Sequence, residues 1–178
     1  DKNYPILIDQ EGGRINRFKK IYNTDKLTGE YFGNLYKKDK KKFYKYFKLF
    51  VDNTSYLLNF VGVNINTVPV LDLRVKGSNK IIGDRAFSDD PKLVSDIGNF
   101  CIKYFHNNNI ATVMKHIPGH GLAKVDSHKS TPIVKSKLNS LIKKDFSTFI
   151  NKKSLFAMTA HIIYKDIDVL NTATHSKL

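Results

Sequence analysis

The chain has 178 residues, of which 41% are hydrophobic and 12% aromatic, and it carries a formal net charge of +14. This hydrophobic content is enough for a packed core and excludes a disordered chain. No apolar run approaches the roughly 20 residues that a membrane-spanning helix needs, so we expect no membrane partner. The single cysteine, Cys101, excludes an internal disulfide and a cysteine-based zinc site, and its apolar neighbours predict a buried structural thiol.

The positive charge raises the possibility of a nucleic-acid partner. Most of the excess is lysine, concentrated in 37–48 and 135–153, and both stretches are typical of solvated helix faces. Arginine, which binds phosphates and reads bases, occurs only at positions 14, 17, 74 and 85. We therefore expect that nucleic acid is not the main partner.

The first half of the chain predicts two strands with a helix between them. An apolar run over 4–8 reads as a buried strand that ends in the loop 9–13. Apolar residues recur at the helical period over about 38–60 and predict a helix that stops at Gly62. The run 63–72 predicts the second strand and its exit, and a long loop follows.

The second half repeats this order. Asp90 can cap a helix whose first residue is Pro91, and the apolar pattern carries this helix to 107. Residues 110–114 predict a third strand. A helix over 137–151 and a fourth strand over 155–159 complete the pattern.

Strands that alternate with helices and are apolar throughout predict an α/β fold, in which a parallel sheet is covered by helices. Four such units fit part of a (β/α)8 TIM barrel, which needs about 250 residues. A doubly wound sheet is the alternative. We predict that residues 1–178 form a single domain, an incomplete barrel.

Four polar clusters, at 9–17, 72–85, 115–128 and 161–168, each follow the carboxyl end of a predicted strand. In a parallel barrel these ends meet on one face, where active sites form. The sequence therefore predicts a functional site on that face.

The third cluster carries the most chemical information. Lys115-His-Ile-Pro-Gly-His-Gly121 is followed by Asp126-Ser-His128. Three histidines could indicate a metal site, but carboxylates are sparse and the spacing fits no zinc motif, so we predict no metal. The other interpretation is acid/base chemistry by an imidazole. Asp126 and His128 are two residues apart, point to the same side of an extended loop, and can pair.

Five motifs follow one another along the chain: Ile-Asp-Gln-Glu-Gly-Gly-Arg-Ile-Asn-Arg-Phe at 8–18, Pro-Val-Leu-Asp at 69–72, Gly-Asp-Arg-Ala-Phe at 83–87, the Lys-His loop at 115–121 with Asp-Ser-His at 126–128, and Met-Thr-Ala-His at 158–161. In content and order this set resembles the β-N-acetylhexosaminidases of glycoside hydrolase family 3. The Lys-His loop with its downstream Asp-x-His separates that branch from the family's β-glucosidases, which use a carboxylic acid from another region.

The resemblance implies a retaining hydrolase that releases terminal β-linked N-acetylglucosamine from peptidoglycan fragments through a covalent glycosyl-enzyme. It implies that His128 is the general acid/base and Asp126 its partner in a His-Asp dyad, where most retaining glycosidases use a second carboxyl. It also implies five residues that bind the sugar ring, namely Asp9, Arg17, Arg85, Lys115 and His116. We expect no cofactor and a cytoplasmic location. Phosphate instead of water as the acceptor stays open, because a neutral imidazole repels an anion less than a carboxylate does.

Each of these residues also has a purely structural interpretation. Asp9 could cap the turn at 12–13, and Arg17 and Arg85 could form surface ion pairs. The two histidines of the loop, His116 and His128, could serve only to organise it. We expect Asp72 to brace the loop and not to touch the sugar.

Two departures from the family's pattern qualify the prediction. The family's first strand should precede Asp1, and its nucleophilic aspartate should lie beyond 171–176. We therefore expect residues 1–178 alone to lack covalent catalysis and to have open sheet edges. The alternatives are a non-catalytic sugar-binding or scaffold fragment of such a barrel, and a family 3 enzyme for another β-sugar.

Overall fold

The computed structural model describes residues 4–77, 80–125 and 130–178. Its strands and α-helices in chain order are β1 (Leu7–Ile8), α1 (Gly29–Lys38), α2 (Lys40–Phe60), β2 (Ile65–Asn66), α3 (Pro91–Asn107), β3 (Ala111–Ile117), β4 (Ile133–Val134), α4 (Leu138–Lys143), β5 (Phe156–Thr159) and β6 (Ile163–Tyr164). Two short 3-10 helices lie at Gly83–Arg85 and Phe146–Phe149.

One parallel sheet organises these elements. Its strands lie in the order β1, β2, β3 and β5, and Leu7, Ile65 and Ala111 are aligned across the first three. The strands therefore follow the chain, and a helical connection separates each from the next, as in consecutive units of a (β/α)8 barrel. The predicted α/β fold with four parallel neighbours is confirmed. The smaller ladder of β4 and β6 was not predicted.

The helices α2 and α3 form because their apolar residues share one face. Asp39 caps α2 through the backbone N–H of Lys42, and the buried side of this helix carries Phe43 and Phe47, whose rings stack at 5.1 Å between centroids. Asp90 caps α3 as predicted. Both helices pack into the main core, which also contains Cys101. This cysteine is 3% exposed and its burial raises the pKa of the thiol, so the prediction of a buried structural thiol is confirmed.

The sequence did not predict α1, because Gly29 and Gly33 weaken its helical pattern by about 1 kcal/mol each relative to alanine. Their role is close packing. A Cβ atom at Gly33 would overlap the carbonyl oxygen of Phe87, and one at Gly29 would overlap that of Arg85. The two glycines therefore let α1 lie directly against the segment that carries Arg85.

The single helix predicted over 137–151 is wrong. The helix α4 ends at Lys144, whose backbone angles (φ −117°, ψ −88°) are not helical. The 3-10 helix Phe146–Phe149 follows. Leu141 packs in a small cluster with Tyr164, whereas Phe149 packs in the main core. A break between them lets each side chain reach its own cluster.

None of the helices in the described ranges combines the length and the apolar character that crossing a bilayer requires.

Candidate functional site

An open cavity of about 430 Å³ lies at the carboxyl ends of the sheet strands. This volume falls within the range of about 300–1,000 Å³ that is usual for small-ligand pockets. The cavity is lined from the loops after β1, β2, β3 and β5, and its charged and imidazole side chains are Asp9, Glu11, Arg14, Arg17, Arg85, Lys115, His116, His120 and His161. The clusters that follow the strands do meet on one face.

Lys115 is the centre of this site. It lies on β3 and its side chain is 2% exposed. Its ammonium group donates to Asp9 Oδ1 over 3.0 Å, to Thr67 Oγ1 over 2.8 Å, and lies 2.6 Å from Glu11 Oε1. Thr67 also donates a hydrogen bond to Asp9. A lysine ammonium has three N–H donors, so these contacts use all of them and tie together the ends of β1, β2 and β3.

Glu11 joins Lys115 to Arg85. Its carboxylate accepts from Arg85 Nε at Oε2 and from the terminal nitrogen Nη2 at Oε1, both over 2.8 Å, in a bidentate pair. The side chains of Arg85 and Glu11 are 12% and 7% exposed, so the ion pair of Arg85 is buried, and the alternative of a surface ion pair does not hold. Sequence reasoning missed Glu11 because it lies in a loop motif next to two glycines. Its position two residues after Asp9, on the same side of an extended segment, was the available signal.

The local charges keep both carboxylates ionised at neutral pH. Burial pushes the pKa of Glu11 up, but the hydrogen bond from Arg85 and the charge of Lys115 outweigh it and hold the pKa below its usual value. The pKa of Asp9 is lowered in the same way, with burial opposed by Thr67, Lys115 and Arg17. Burial also opposes the charge on Arg85, yet Glu11 raises the pKa of that guanidinium.

The other two arginines that line the cavity, Arg14 and Arg17, lie at its rim. A terminal nitrogen of Arg17 lies 3.6 Å from Asp9 Oδ2, and the Arg17 side chain is 56% exposed. Arg14 donates to Asp84 over 3.0 Å and to the carbonyl oxygens of Lys80 and Ile81 over 2.8 and 2.7 Å. Arg14 therefore holds the loop that carries Arg85.

Asp72 braces the Lys-His loop from beneath, as expected from the sequence. It is fully buried and accepts from the backbone N–H groups of His116 and His120, over 3.3 and 2.6 Å. Its Oδ2 atom lies 2.6 Å from Nδ1 of His116. Burial pushes the pKa of Asp72 up, but His116 and the backbone of His120 lower it below the usual value. An ionised carboxylate only accepts hydrogen bonds, so Nδ1 of His116 carries the proton.

The structure brings together all five predicted ring-binding residues, since Asp9, Arg17, Arg85, Lys115 and His116 line one cavity. The predicted dyad, Asp126 and His128, lies outside the described residues. At another edge of the cavity, the ring of His161 stacks on that of His175 with centroids 6.4 Å apart. Across 4–77, 80–125 and 130–178, no group of three or more His, Cys, Asp or Glu side chains is arranged to hold a metal ion.

Comparison with known proteins places this chain in a family. A β-hexosaminidase of Hydrogenovibrio crunogenus is 31% identical over 168 residues, which cover 93% of this chain and 46% of that protein. A β-hexosaminidase of Xanthomonas campestris pv. campestris is 32% identical over 165 residues, covering 91% of this chain and 49% of that protein. The chain thus spans about half the length of these curated relatives.

Solved structures agree with the fold. NagZ from Neisseria gonorrhoeae, in complex with N-trifluoroacetyl-D-glucosamine, superposes with a TM-score of 0.84 at 26% identity, over 94% of this chain and 50% of that one. The β-N-acetylglucosaminidase from Thermotoga maritima superposes with a TM-score of 0.75 at 25% identity, over 95% and 34%. The fold is thus that of a TIM-barrel domain, of which this chain covers part. Residues 4–178 match the glycosyl hydrolase family 3 N-terminal domain, and the chain belongs to that family.

Proposed function

We propose that the protein, as its gene encodes it, is a retaining glycoside hydrolase that releases terminal β-linked N-acetylglucosamine, and that residues 1–178 are part of its catalytic barrel. The observation that carries this proposal is the charged network at the carboxyl ends of the strands, in which the half-buried Asp9 meets the buried Glu11, Arg85 and Lys115. The β-hexosaminidase relatives and the NagZ structure with N-trifluoroacetyl-D-glucosamine support the same substrate class.

The cavity offers the mixture of groups that a sugar ring needs. Sugar hydroxyls both donate and accept, so they suit a wall that presents a carboxylate and an imidazole acceptor beside cationic donors. In the proposal Arg17, Arg85 and Lys115 donate to ring hydroxyls, and Asp9 accepts from them. His116 also accepts, through Nε2, because its Nδ1 proton is bound to Asp72. The three N–H groups of Lys115 already point to Asp9, Glu11 and Thr67, so one of them would have to form a bifurcated hydrogen bond that also reaches the sugar.

The proposed chemistry uses His128 and Asp126, which were assigned from the resemblance. In the first step a carboxylate nucleophile attacks the anomeric carbon, while the imidazolium of His128 protonates the departing oxygen. In the second step neutral His128 removes a proton from water, which attacks the same carbon and releases the nucleophile with net retention. Asp126 orients the imidazole and stabilises its charged form. We propose muropeptide fragments of peptidoglycan as the natural substrates.

The test is turnover by the purified protein as its gene encodes it. We expect hydrolysis of 4-nitrophenyl N-acetyl-β-glucosaminide and at least about tenfold lower kcat/KM for the matching β-glucoside, since one missing set of polar contacts costs this much or more. Proton NMR should show the β-anomer of N-acetylglucosamine as the first product. Binding without turnover would favour the scaffold alternative, and equal rates on the two substrates would favour another β-sugar. A peptidoglycan-derived disaccharide tests the natural substrate.

A further inference from the structure

We infer that Glu11 is a positioning residue of the sugar site, which holds Arg85 and Lys115 side by side without contacting the sugar itself. This inference rests on the proposed function and adds a role that the motif comparison did not supply.

The contacts of Glu11 give it this position. Oε2 accepts from Arg85 Nε over 2.8 Å, and Oε1 lies 2.8 Å from Arg85 Nη2 and 2.6 Å from Lys115 Nζ. A bidentate pair fixes both the position and the plane of a guanidinium group. Because Oε1 is shared, the two cations are held on one atom, and the separation between them is set by Glu11.

Exposure separates the roles of the two carboxylates in the cavity. The side chain of Glu11 is 7% exposed and three of its hydrogen-bonding positions are taken by cations. The side chain of Asp9 is 40% exposed. Its Oδ2 atom lies 3.6 Å from a terminal nitrogen of Arg17, which is longer than a hydrogen bond. Asp9 can thus accept from a ligand, whereas Glu11 is committed to the protein.

Charge explains why the site needs the second carboxylate. The cavity wall carries four cations, at Arg14, Arg17, Arg85 and Lys115, and the two carboxylates of Asp9 and Glu11. Removing Glu11 would leave two buried cations next to each other, of which only Lys115 would keep a carboxylate contact, the one to Asp9. Asp9 would then be drawn toward them, and its Oδ2 atom would be less available to the ligand.

The experiment is Glu11→Gln in the gene-encoded protein, with 4-nitrophenyl N-acetyl-β-glucosaminide as substrate. We expect KM to rise about 10- to 100-fold, the scale of a lost charged hydrogen bond. We expect kcat to stay within about threefold, because uniform binding is lost and no reacting group is touched. Glu11→Asp keeps the charge with a shorter reach and should give an intermediate KM. Asp89→Asn breaks the exposed Lys37–Asp89 ion pair, neither member of which lines the cavity, and should leave KM within about twofold.

The outcomes separate this inference from the proposed function. A merely structural role would reduce the amount of folded enzyme, so kcat per total protein would fall at constant KM, and that result overturns the inference. If Glu11→Gln fails to fold, the KM of Glu11→Asp decides in the same way. If the wild type shows no turnover, the proposed function fails. The role of Glu11 is then tested separately, by calorimetric measurement of N-acetylglucosamine binding to the wild type and to Glu11→Gln. Equal affinities in wild type and Glu11→Gln, or no binding by the wild type, then overturn the inference.

Discussion

The buried carboxylate of Asp72 holds His116 by its ring nitrogen Nδ1 over 2.6 Å, and this bond fixes which nitrogen of the imidazole is protonated. The same carboxylate binds the backbone of His116 and His120. One side chain in the segment that follows β2 thereby shapes the Lys-His loop and leaves Nε2 of His116 as the acceptor of that imidazole.

Replacing Asp72 by Asn should lower the free energy of unfolding by about 3 kcal/mol. The two carboxylate oxygens accept from three N–H groups of His116 and His120, and the amide NH2 group of Asn would face at least one of these donors. Urea denaturation at pH 7 measures this loss. Lys92→Ala, which removes an exposed ion pair with Asp96, is the control and should change little. Since the folded pKa of Asp72 is depressed, its contribution is present above the unfolded value of about 3.9 and is lost as pH falls through the lower folded value. A loss below about 1 kcal/mol at pH 7 would contradict this role.

The contribution of Asp145 to stability should depend on pH in the opposite direction. This residue is 4% exposed, its Oδ1 has no hydrogen-bond partner among the residues that the structure describes, and burial raises its pKa to about 6. A raised folded pKa means that its contribution is present below about pH 4 and is lost as pH rises through 6. Asp145→Asn should therefore stabilise the protein by about 1–2 kcal/mol at pH 8 and by less at pH 4. Thermal unfolding at both pH values tests this, and an equal gain at both would show that charge is not the cause.

Gly33→Ala should impair the site from a distance. The added methyl group would meet the carbonyl oxygen of Phe87 and push α1 away from the segment that carries Arg85. We expect a loss of about 1–3 kcal/mol in the free energy of unfolding, together with a raised KM. Asn34→Ala, on the exposed side of α1, is the matched control and should preserve both quantities. An alanine tolerated at position 33 would mean that this contact can relax.

His128→Ala tests the proposed acid/base role through the leaving group. We expect it to slow hydrolysis of a natural disaccharide by about 10²–10⁴-fold, and an activated aryl substrate far less, because an activated group departs with little protonation. Asp126→Asn should show the same pattern more weakly. Substituting Arg85 or Lys115 should slow both substrates about equally, since sugar binding is common to them. If His128→Ala lowers the rates on the two substrates equally, the imidazole is not the proton donor.

The sequence predicted what depends on local periodicity and strand order. Apolar runs and capping residues such as Asp90 placed the four sheet strands, α2 and α3, and the polar ends of those strands predicted a shared cavity. It failed where a tertiary contact decided the outcome. The glycines of α1 are explained only by the backbone of Arg85 and Phe87, and the break at Lys144 only by two separate clusters. Glu11 gained a role only when folding brought Arg85 to it.

Asp9 and Lys115 are separated by 106 positions, yet they meet at the centre of the cavity. During synthesis on the ribosome, α1 and α2 can pack as soon as they emerge, because their partners are close in sequence. Glu11 must wait for Arg85, and Asp9 must wait for Lys115 on β3, before these carboxylates find their cationic partners. The proposed sugar site therefore forms late in the nascent chain, only after three strands have come together.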